Sequence, residues 1–421
     1  MSIETEFVST GDQVASIYRR HLSAGRARVG EMLGGHVETE SSGVWVTTGD
    51  GGRYLNAGGY GVFIMGARHP RVIEAVGRQL DRHPVGSRMF LEPMAAEAAE
   101  ALMAVAPSNL TRVHFSGSGT EATETALKLA RLNGRTHLVA MRNGYHGKTL
   151  GALSVTGRDV FQDPFRPLLP DVTHIPFANL PALAAALTRH PGAACVIVEP
   201  VQGEGGVIVP PDGYLRSVAD LCREYGALLV VDEIQTGLGR TGHWWALESE
   251  GVRPDILLAG KALGGGVIPV SAAIATEQVY APLDRDPFLH TSTFAAAPIA
   301  MAAVCGALQA ITEDDLVARA ARIGAELLAA LETIVEAELP GHRCRVRGRG
   351  LLIGIEFADP AMAADLLIEL ITNNVIANHS LNSDRVVRLT PPATLSASEI
   401  EFLLTRFETS ARAVATRYPE G

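Results

Sequence analysis

The chain reads as an α/β protein, with a large domain on a mainly parallel sheet and a smaller α+β domain. Three observations carry that reading. Between about residues 95 and 280, helical segments alternate with short apolar, β-branched runs, the pattern of strands joined by crossover helices. After residue 298 the alternation gives way to long helical stretches around a strand-like run. The 421 residues, 47% of them hydrophobic, suffice for one large domain and one smaller one.

Taken in order, residues 43–66 read as short strands with glycine turns. A helix follows from Pro70 to about Leu80, with Val72, Ile73, Val76 and Leu80 on one face. In the alternating region the clearest strands are 195–198, 228–231 and 272–275, and the clearest helices 121–132, 180–188 and 214–225. A sheet of this kind binds ligands at the carboxyl ends of its strands. Helices are expected at 298–311, 313–337, 360–373 and 397–416, with the run 345–357 between them as one strand. The expected division is an N-terminal segment, 1–75, that joins the small domain, a large domain over 76–310, and a C-terminal small domain over 311–421.

The formal net charge of −10 argues against nucleic acid or an anionic membrane as partner, since phosphate surfaces call for basic ones. Aromatics, at 5%, are too sparse for a stacking platform. Of the four cysteines, Cys195, Cys222 and Cys305 sit among small or apolar neighbours. Cys344, between two arginines, reads as a surface or packing residue, with a more reactive thiol as the alternative. No spacing suggests a disulfide framework or a metal site. The N-terminal stretch MSIETEFVSTGDQ is acidic and has no apolar core, so no signal peptide is expected. No apolar run is long enough to span a bilayer, and a soluble, cytoplasmic protein is expected.

Chemistry enters with the run from Phe115 to Glu124. A short strand enters a glycine-rich turn and then a helix, whose free N–H groups and positive dipole end favour an anion. Gly117 and Gly119 let backbone approach a phosphate, and the hydroxyls of Ser118 and Thr120 add donors. A plain turn and helix cap is the alternative. The same string fits G-x-G-x-x-A, but no Asp or Glu occurs from Ala126 to Arg158 to hold a ribose, which speaks against a dinucleotide-dependent dehydrogenase. Asp232 ends an apolar strand at the ligand face, where an acid can hold a positive ring nitrogen or a metal, or simply cap a loop. Lys261 follows another apolar strand and precedes three glycines. A lysine removed from water there can form an imine with a carbonyl; a solvated loop lysine is the alternative. Together, a phosphate cradle, an acid for a ring nitrogen and an imine-forming lysine are the parts that pyridoxal phosphate (PLP) requires.

At this point the sequence resembles the class III aminotransferases over roughly residues 30–410. The resemblance rests on SGTEA at 118–122, Tyr145-His-Gly-Lys148, the run from Glu199 to Gly206, the run from Asp232 to Gly242, Lys261-Ala-Leu-Gly-Gly-Gly266 and Ser292-Thr-Phe294. The stretches around HGKTLGALSVTG, PFRPLLP and GVIVPPDGYL look most like the putrescine aminotransferase branch. The resemblance implies a fold type I PLP enzyme with a large PLP-binding domain and a homodimer, or tetramer, with shared active sites. It implies that Lys261 carries the cofactor, that Gly119 and Thr120 bind its phosphate, that Tyr145 and Ile234 cover the two ring faces, that Asp232 pairs with the ring nitrogen and that Gln235 meets the phenolic oxygen. Thr293 is implied at the phosphate of the neighbouring subunit, with Ser118, His146, Glu199 and Ser292 completing the cofactor's surroundings. Glu204 and Arg388 match the family's gate, in which the arginine binds the acceptor carboxylate and swings away for other substrates.

Two departures bear on substrate. Lys148 stands where many amino-acid-specific members have arginine, and lysine cannot make the same two-point grip on a carboxylate, which leans toward an amine donor. Ala295-Ala-Ala-Pro298 replaces the usual Gly-Gly-Asn-Pro, either as neutral repacking or as a site reshaped for another substrate. The expected reaction moves an amino group from a primary amine, diamine or ω-amino compound to an α-keto acid. The rival is other PLP chemistry on an amino acid: racemisation, amine migration, decarboxylation or carbon–carbon bond formation. A non-catalytic binding protein fits least, because Lys261, Asp232 and Gln235 are all present.

Overall fold

A computed structural model describes residues 10–418. The stretch read as lacking a signal peptide falls mostly outside them. At its centre is a seven-stranded sheet in the order Arg112–Ser116, Ser271–Ala275, Ile256–Ala259, Leu228–Asp232, Ala194–Val198, His137–Met141, Val172–Ile175. All neighbours are parallel except Ser271–Ala275, which runs antiparallel to both of its partners.

The sheet's strands are buried on both faces, as their unbroken apolar runs require. Side-chain alternation divides them between two cores. Val139, Val196, Val198, Leu229 and Val231 point to one core; Leu138, Ala140, Cys195, Ile197 and Val230 point to the other. The helix Gly119–Leu132 covers the second core with Ala122, Ala126, Leu129 and Ala130, while Leu180–Arg189 and Tyr214–Tyr225 cover the first.

The helices Pro298–Glu313 and Leu316–Glu338 lead to a four-stranded sheet ordered Arg345–Arg349, Leu352–Glu356, Ser383–Leu389, Asn378–Ser380. The run expected as one strand is therefore a hairpin. Gly350, at φ +57°, turns the chain between Arg349 and Leu352, which pair across it. The N-terminal strands Glu38–Ser42, Trp45–Thr48 and Arg53–Asn56 form a further sheet, and Leu55 pairs with Val375 of the C-terminal region. The helix Pro70–Arg82 also departs from expectation. Val72 is buried, but Ile73 and Leu80 are exposed and Gln79 is buried instead, its amide donating to His83 O at 2.8 Å.

No helix of the described residues is long and apolar enough to cross a membrane. All four cysteines are free. Burial pushes the thiols of Cys195 and Cys344 up to about 12, so Cys344 gains no reactivity from its arginine neighbours.

A close backbone contact in the small domain gives a prediction. A Cβ at Gly324, inside Leu316–Glu338, would stand 2.4 Å from Gly350 C and O. Glycine to alanine in a free helix interior stabilises by about 1 kcal/mol. Here the methyl meets backbone, and Gly324→Ala is expected to destabilise by about 1–3 kcal/mol in urea unfolding. A raised midpoint would contradict the contact.

Candidate active site

The carboxyl ends of the central strands open onto a cavity of about 470 Å³. Asp232 closes the strand Leu228–Asp232 and is buried. Its Oδ1 accepts from Ile234 N at 3.1 Å, and its Oδ2 lies 2.7 Å from Nδ1 of the fully buried His146. Burial alone opposes charge on His146. The Asp232 hydrogen bond, with the charges of Asp232 and Glu199, outweighs it and raises the imidazole above its ordinary value. His146 N donates to Thr156 Oγ1 at 3.0 Å, which fixes the loop that carries it.

Tyr145, half-buried, lines the same cavity, and its N–H donates to Glu199 Oε2 at 3.0 Å. Glu199 Oε1 accepts from Gly203 N at 3.2 Å. Burial lifts Glu199 from 4.5 to about 7, aided by the Asp232 charge and opposed by His146 and the two N–H groups. Gly203 has no room for a side chain: a Cβ would stand 1.4 Å from Gln235 Oε1.

The helix Gly119–Leu132 starts at the cavity wall. The N–H groups of Gly119 and Thr120 have no partner among the described residues. A Cβ on Gly119 would lie 2.9 Å from Ile234 Cδ1, so glycine is required for this close approach. The two hydroxyls expected at a phosphate are turned elsewhere. Ser118 Oγ donates to Glu121 Oε2 at 2.8 Å, and Ser118 does not line the cavity. Thr120 Oγ1 lies 2.8 Å from Thr149 Oγ1, which donates to Glu124 Oε1 at 2.6 Å. Thr149, Gly147 and Thr236 line the cavity and were missed in the sequence. The signal for Gly147 was its place after His146: at φ +124°, a Cβ there would fall 2.3 Å from Thr120 Oγ1.

Lys261 follows the strand Ile256–Ala259 and lines the cavity at φ +48°, a left-handed conformation that a lysine rarely adopts. Burial lowers its ammonium below the ordinary value, against the opposing pull of the Glu204 and Asp232 charges.

Arg388, fully buried on the strand Ser383–Leu389, places Nη1 2.7 Å from Glu204 Oε1. The same Nη1 donates to Gln235 Oε1 at 3.5 Å, and Gln235 Nε2 donates to Tyr60 O at 3.3 Å. Glu204 Oε2 accepts from Leu381 N at 2.9 Å.

Lys148 is exposed at the cavity's edge, with Nζ 4.0 Å over the Phe161 ring. Ser292 and Thr293 lie outside this cavity. Thr293 lines a separate hollow of about 300 Å³ with Arg88, Phe90 and Leu91, and its carbonyl accepts from Arg88 Nη1 at 3.1 Å.

The site fits PLP on its own terms. It offers free N–H groups at a helix N-terminus for a phosphate and a buried carboxyl for a ring nitrogen. It has a lysine of depressed basicity for an aldehyde, and three buried donors without a partner: His146 Nε2, Arg388 Nε and Arg388 Nη2. No group of three or more His, Cys, Asp or Glu suited to a metal occurs among the described residues.

Comparison with known proteins agrees. The family model aminotransferase class-III matches residues 27–410. An ornithine aminotransferase from Toxoplasma gondii, with PLP at partial occupancy in its active site, is 32% identical, with 98% of this chain and 96% of that one covered and a TM-score of 0.90. An (S)-enantioselective omega-transaminase from Thermomicrobium roseum is 28% identical, over 96% and 98% of the two chains, at a TM-score of 0.87. The ornithine delta-aminotransferase of Plasmodium falciparum is 30% identical, over 90% and 94%, at 0.79.

The raised Glu199 gives a test. Between pH 4.5 and about 7 the folded protein keeps a proton on Glu199 that an unfolded glutamate has lost. The unfolded state then binds fewer protons, so this group makes stability fall as pH rises through that window. In cofactor-free protein, Glu199→Gln should flatten the fall in unfolding free energy relative to wild type. An identical slope would show that Glu199 titrates normally.

Proposed function

The chain belongs to the class III aminotransferases, and we propose that its amino donor is a primary amine, a diamine or an ω-amino compound, with an α-keto acid as acceptor. The transfer of an amino group with PLP follows from the family itself. The observation that carries the reading of this site is that Lys261, the Asp232–His146 pair and the Glu204 end of a buried ion pair line one cavity. Lys148 in place of a guanidinium supports the donor class. So does similarity to enzymes named for ornithine and for omega transamination.

PLP, when bound, supplies a ring that takes up the electron pair left when the amine-bearing carbon loses a proton. In our reading the residues of this chain do the rest. The N–H groups of Gly119 and Thr120 hold the phosphate. Asp232, oriented by His146, holds a proton on the ring nitrogen. Tyr145 and Ile234 cover the ring faces, and Gln235 meets its phenolic oxygen. Lys261 Nζ anchors the aldehyde carbon and, with its basicity lowered by burial, moves the proton at the substrate carbon. Arg388 binds the acceptor carboxylate, and Glu204 holds that guanidinium aside, neutralised, when the donor carries none.

We further propose a homodimer in the cytoplasm. Met89, Phe90, Leu91, Phe288 and Phe294 are exposed large apolar side chains on the two segments that also carry Arg88 and Thr293, a surface suited to a second copy. In that arrangement Ser292 and Thr293 serve the neighbouring subunit's phosphate. The three alanines at 295–297 border the same hollow.

Stopped-flow absorbance tests both the reaction and the gate. Donor alone should convert the holoenzyme to its amino form, and keto acid alone should restore it. Arg388→Met should slow the keto-acid half by about 30-fold or more and the amine half by less than about threefold. Arg388→Met/Glu204→Gln removes the charge left buried by the single change and should behave alike. Equal losses in both halves would leave Arg388 as a structural ion-pair residue. Failure of donor alone to convert the wild type would point to other PLP chemistry.

A further inference from the structure

A second polar cavity, of about 710 Å³, lies beside the active-site loop and takes no part in the chemistry above. Its wall includes Arg142, Arg158, Arg166 and His174, with Asp159 as the sole carboxylate. Arg166 is already committed, to Asp163 Oδ1 at 2.9 Å, Asp159 Oδ1 at 3.7 Å and Gln162 Oε1 at 3.3 Å.

Arg142 and Arg158 are different. Neither guanidinium makes a hydrogen bond or an ion pair with any group among the described residues, although acidic residues outnumber basic ones in this chain, 46 to 36. Arg158 Nε is buried without a partner, and so is His174 Nε2. Buried donors left unpaired cost free energy, and native proteins rarely tolerate them unless a ligand or water completes them. Two free planar forks on one concave surface, with an imidazole nitrogen beside them, make a receptor for a compact dianion. Burial holds His174 below its ordinary value, so it serves as a neutral hydrogen-bonding group.

The cavity is not a detached surface feature. Asn143 N donates to Gly157 O at 2.8 Å, and Gly157 N donates to Gly144 O at 3.0 Å. The turn that carries Arg158 is thus laced to the loop that carries Tyr145 and His146. A Cβ on Gly157 would fall 2.2 Å from Met141 O, so this wall has no room to shift.

We propose that this cavity is a binding site for a phosphate group, held by Arg142 and Arg158 with His174, on a small molecule distinct from substrate and cofactor. The chain's net charge of −10 argues against nucleic acid as the source.

Calorimetric titration of the holoenzyme tests this, because the cofactor's own phosphate already fills the Gly119 cradle. Inorganic phosphate and glycerol phosphate are the probes, citrate is the carboxylate control, and the cofactor's visible band is followed throughout. Saturable binding of one equivalent per chain, with the band unchanged, is expected. It should weaken about tenfold or more in each of Arg142→Met and Arg158→Met, and stay within twofold in Arg223→Met, a basic residue elsewhere. Tighter binding of the ester identifies an organic phosphate as occupant, and tighter binding of the ion identifies free phosphate; both support the site. No saturable binding, binding unaffected by both substitutions, a change in the cofactor band, or equal affinity for citrate would overturn it. The Arg142 side chain is exposed and makes no internal bond, so its variant is expected to fold even if Arg158→Met does not.

Discussion

The hydrogen bond between Asp232 and His146 fixes the rest of the site. A carboxyl at the end of a fully buried strand is costly without partners, and so is a fully buried imidazole; each supplies what the other lacks. Their 2.7 Å contact ties the strand Leu228–Asp232 to the loop after His137–Met141. From there the constraints spread through backbone donors. Tyr145 N and Gly203 N converge on Glu199, and His146 N on Thr156, so the loops beside the buried pair are held by their own backbone donors as well.

Charge balance around the cavity bears on the switch proposed for Arg388. Arg388 has one carboxylate partner and two unpartnered nitrogens, so leaving Glu204 for another carboxylate changes its company more than its desolvation. Arg240, also fully buried, has only carbonyls as partners: Leu351 O at 3.1 Å, Pro391 O at 2.6 Å and Gly61 O at 3.3 Å. Those bonds pin the N-terminal segment, the Gly350 hairpin and the residues after Arg388 to the central sheet's ligand edge. Burial, with the nearby Arg388 charge, lowers Arg240 to about 9. The Glu204–Arg388 pair therefore sits on a frame that is fixed, as the switch proposed for it requires.

Much of this was legible in the sequence. The buried strands declare themselves as apolar β-branched runs, and Asp232 and Lys261 stand out because a charge at the end of such a run is unusual. The helix start at Gly119 was visible as a strand, a glycine turn and a helical run. What stayed hidden depends on direction and on distant partners. Ser118 and Glu121 have the three-residue spacing that pairs side chains at a helix start, but nothing local says that Thr120 turns to Thr149 or that Lys261 takes a positive φ. Helical periodicity placed Ile73 and Leu80 inward, yet both are exposed, because the pattern reports an apolar stripe and not which surface covers it. The 345–357 run concealed a hairpin, since Gly350 reverses the chain within a run that has no longer turn sequence to mark the break. Arg142 and Arg158 are unremarkable in the chain; only the fold brings their unpaired forks to one cavity.

The central claim is that the buried Asp232 carboxyl holds the proton that makes the cofactor's ring an acceptor of electrons. Asp232→Asn keeps the shape and the hydrogen-bonding contact with His146 but removes the charge. The most direct measurement is the rate of the amine half-reaction in this variant, with cofactor content determined on the same preparation. Cofactor retained near one per chain and a rate lowered by about 100-fold or more is the predicted result. Full cofactor content with a rate close to that of the unaltered enzyme would contradict it.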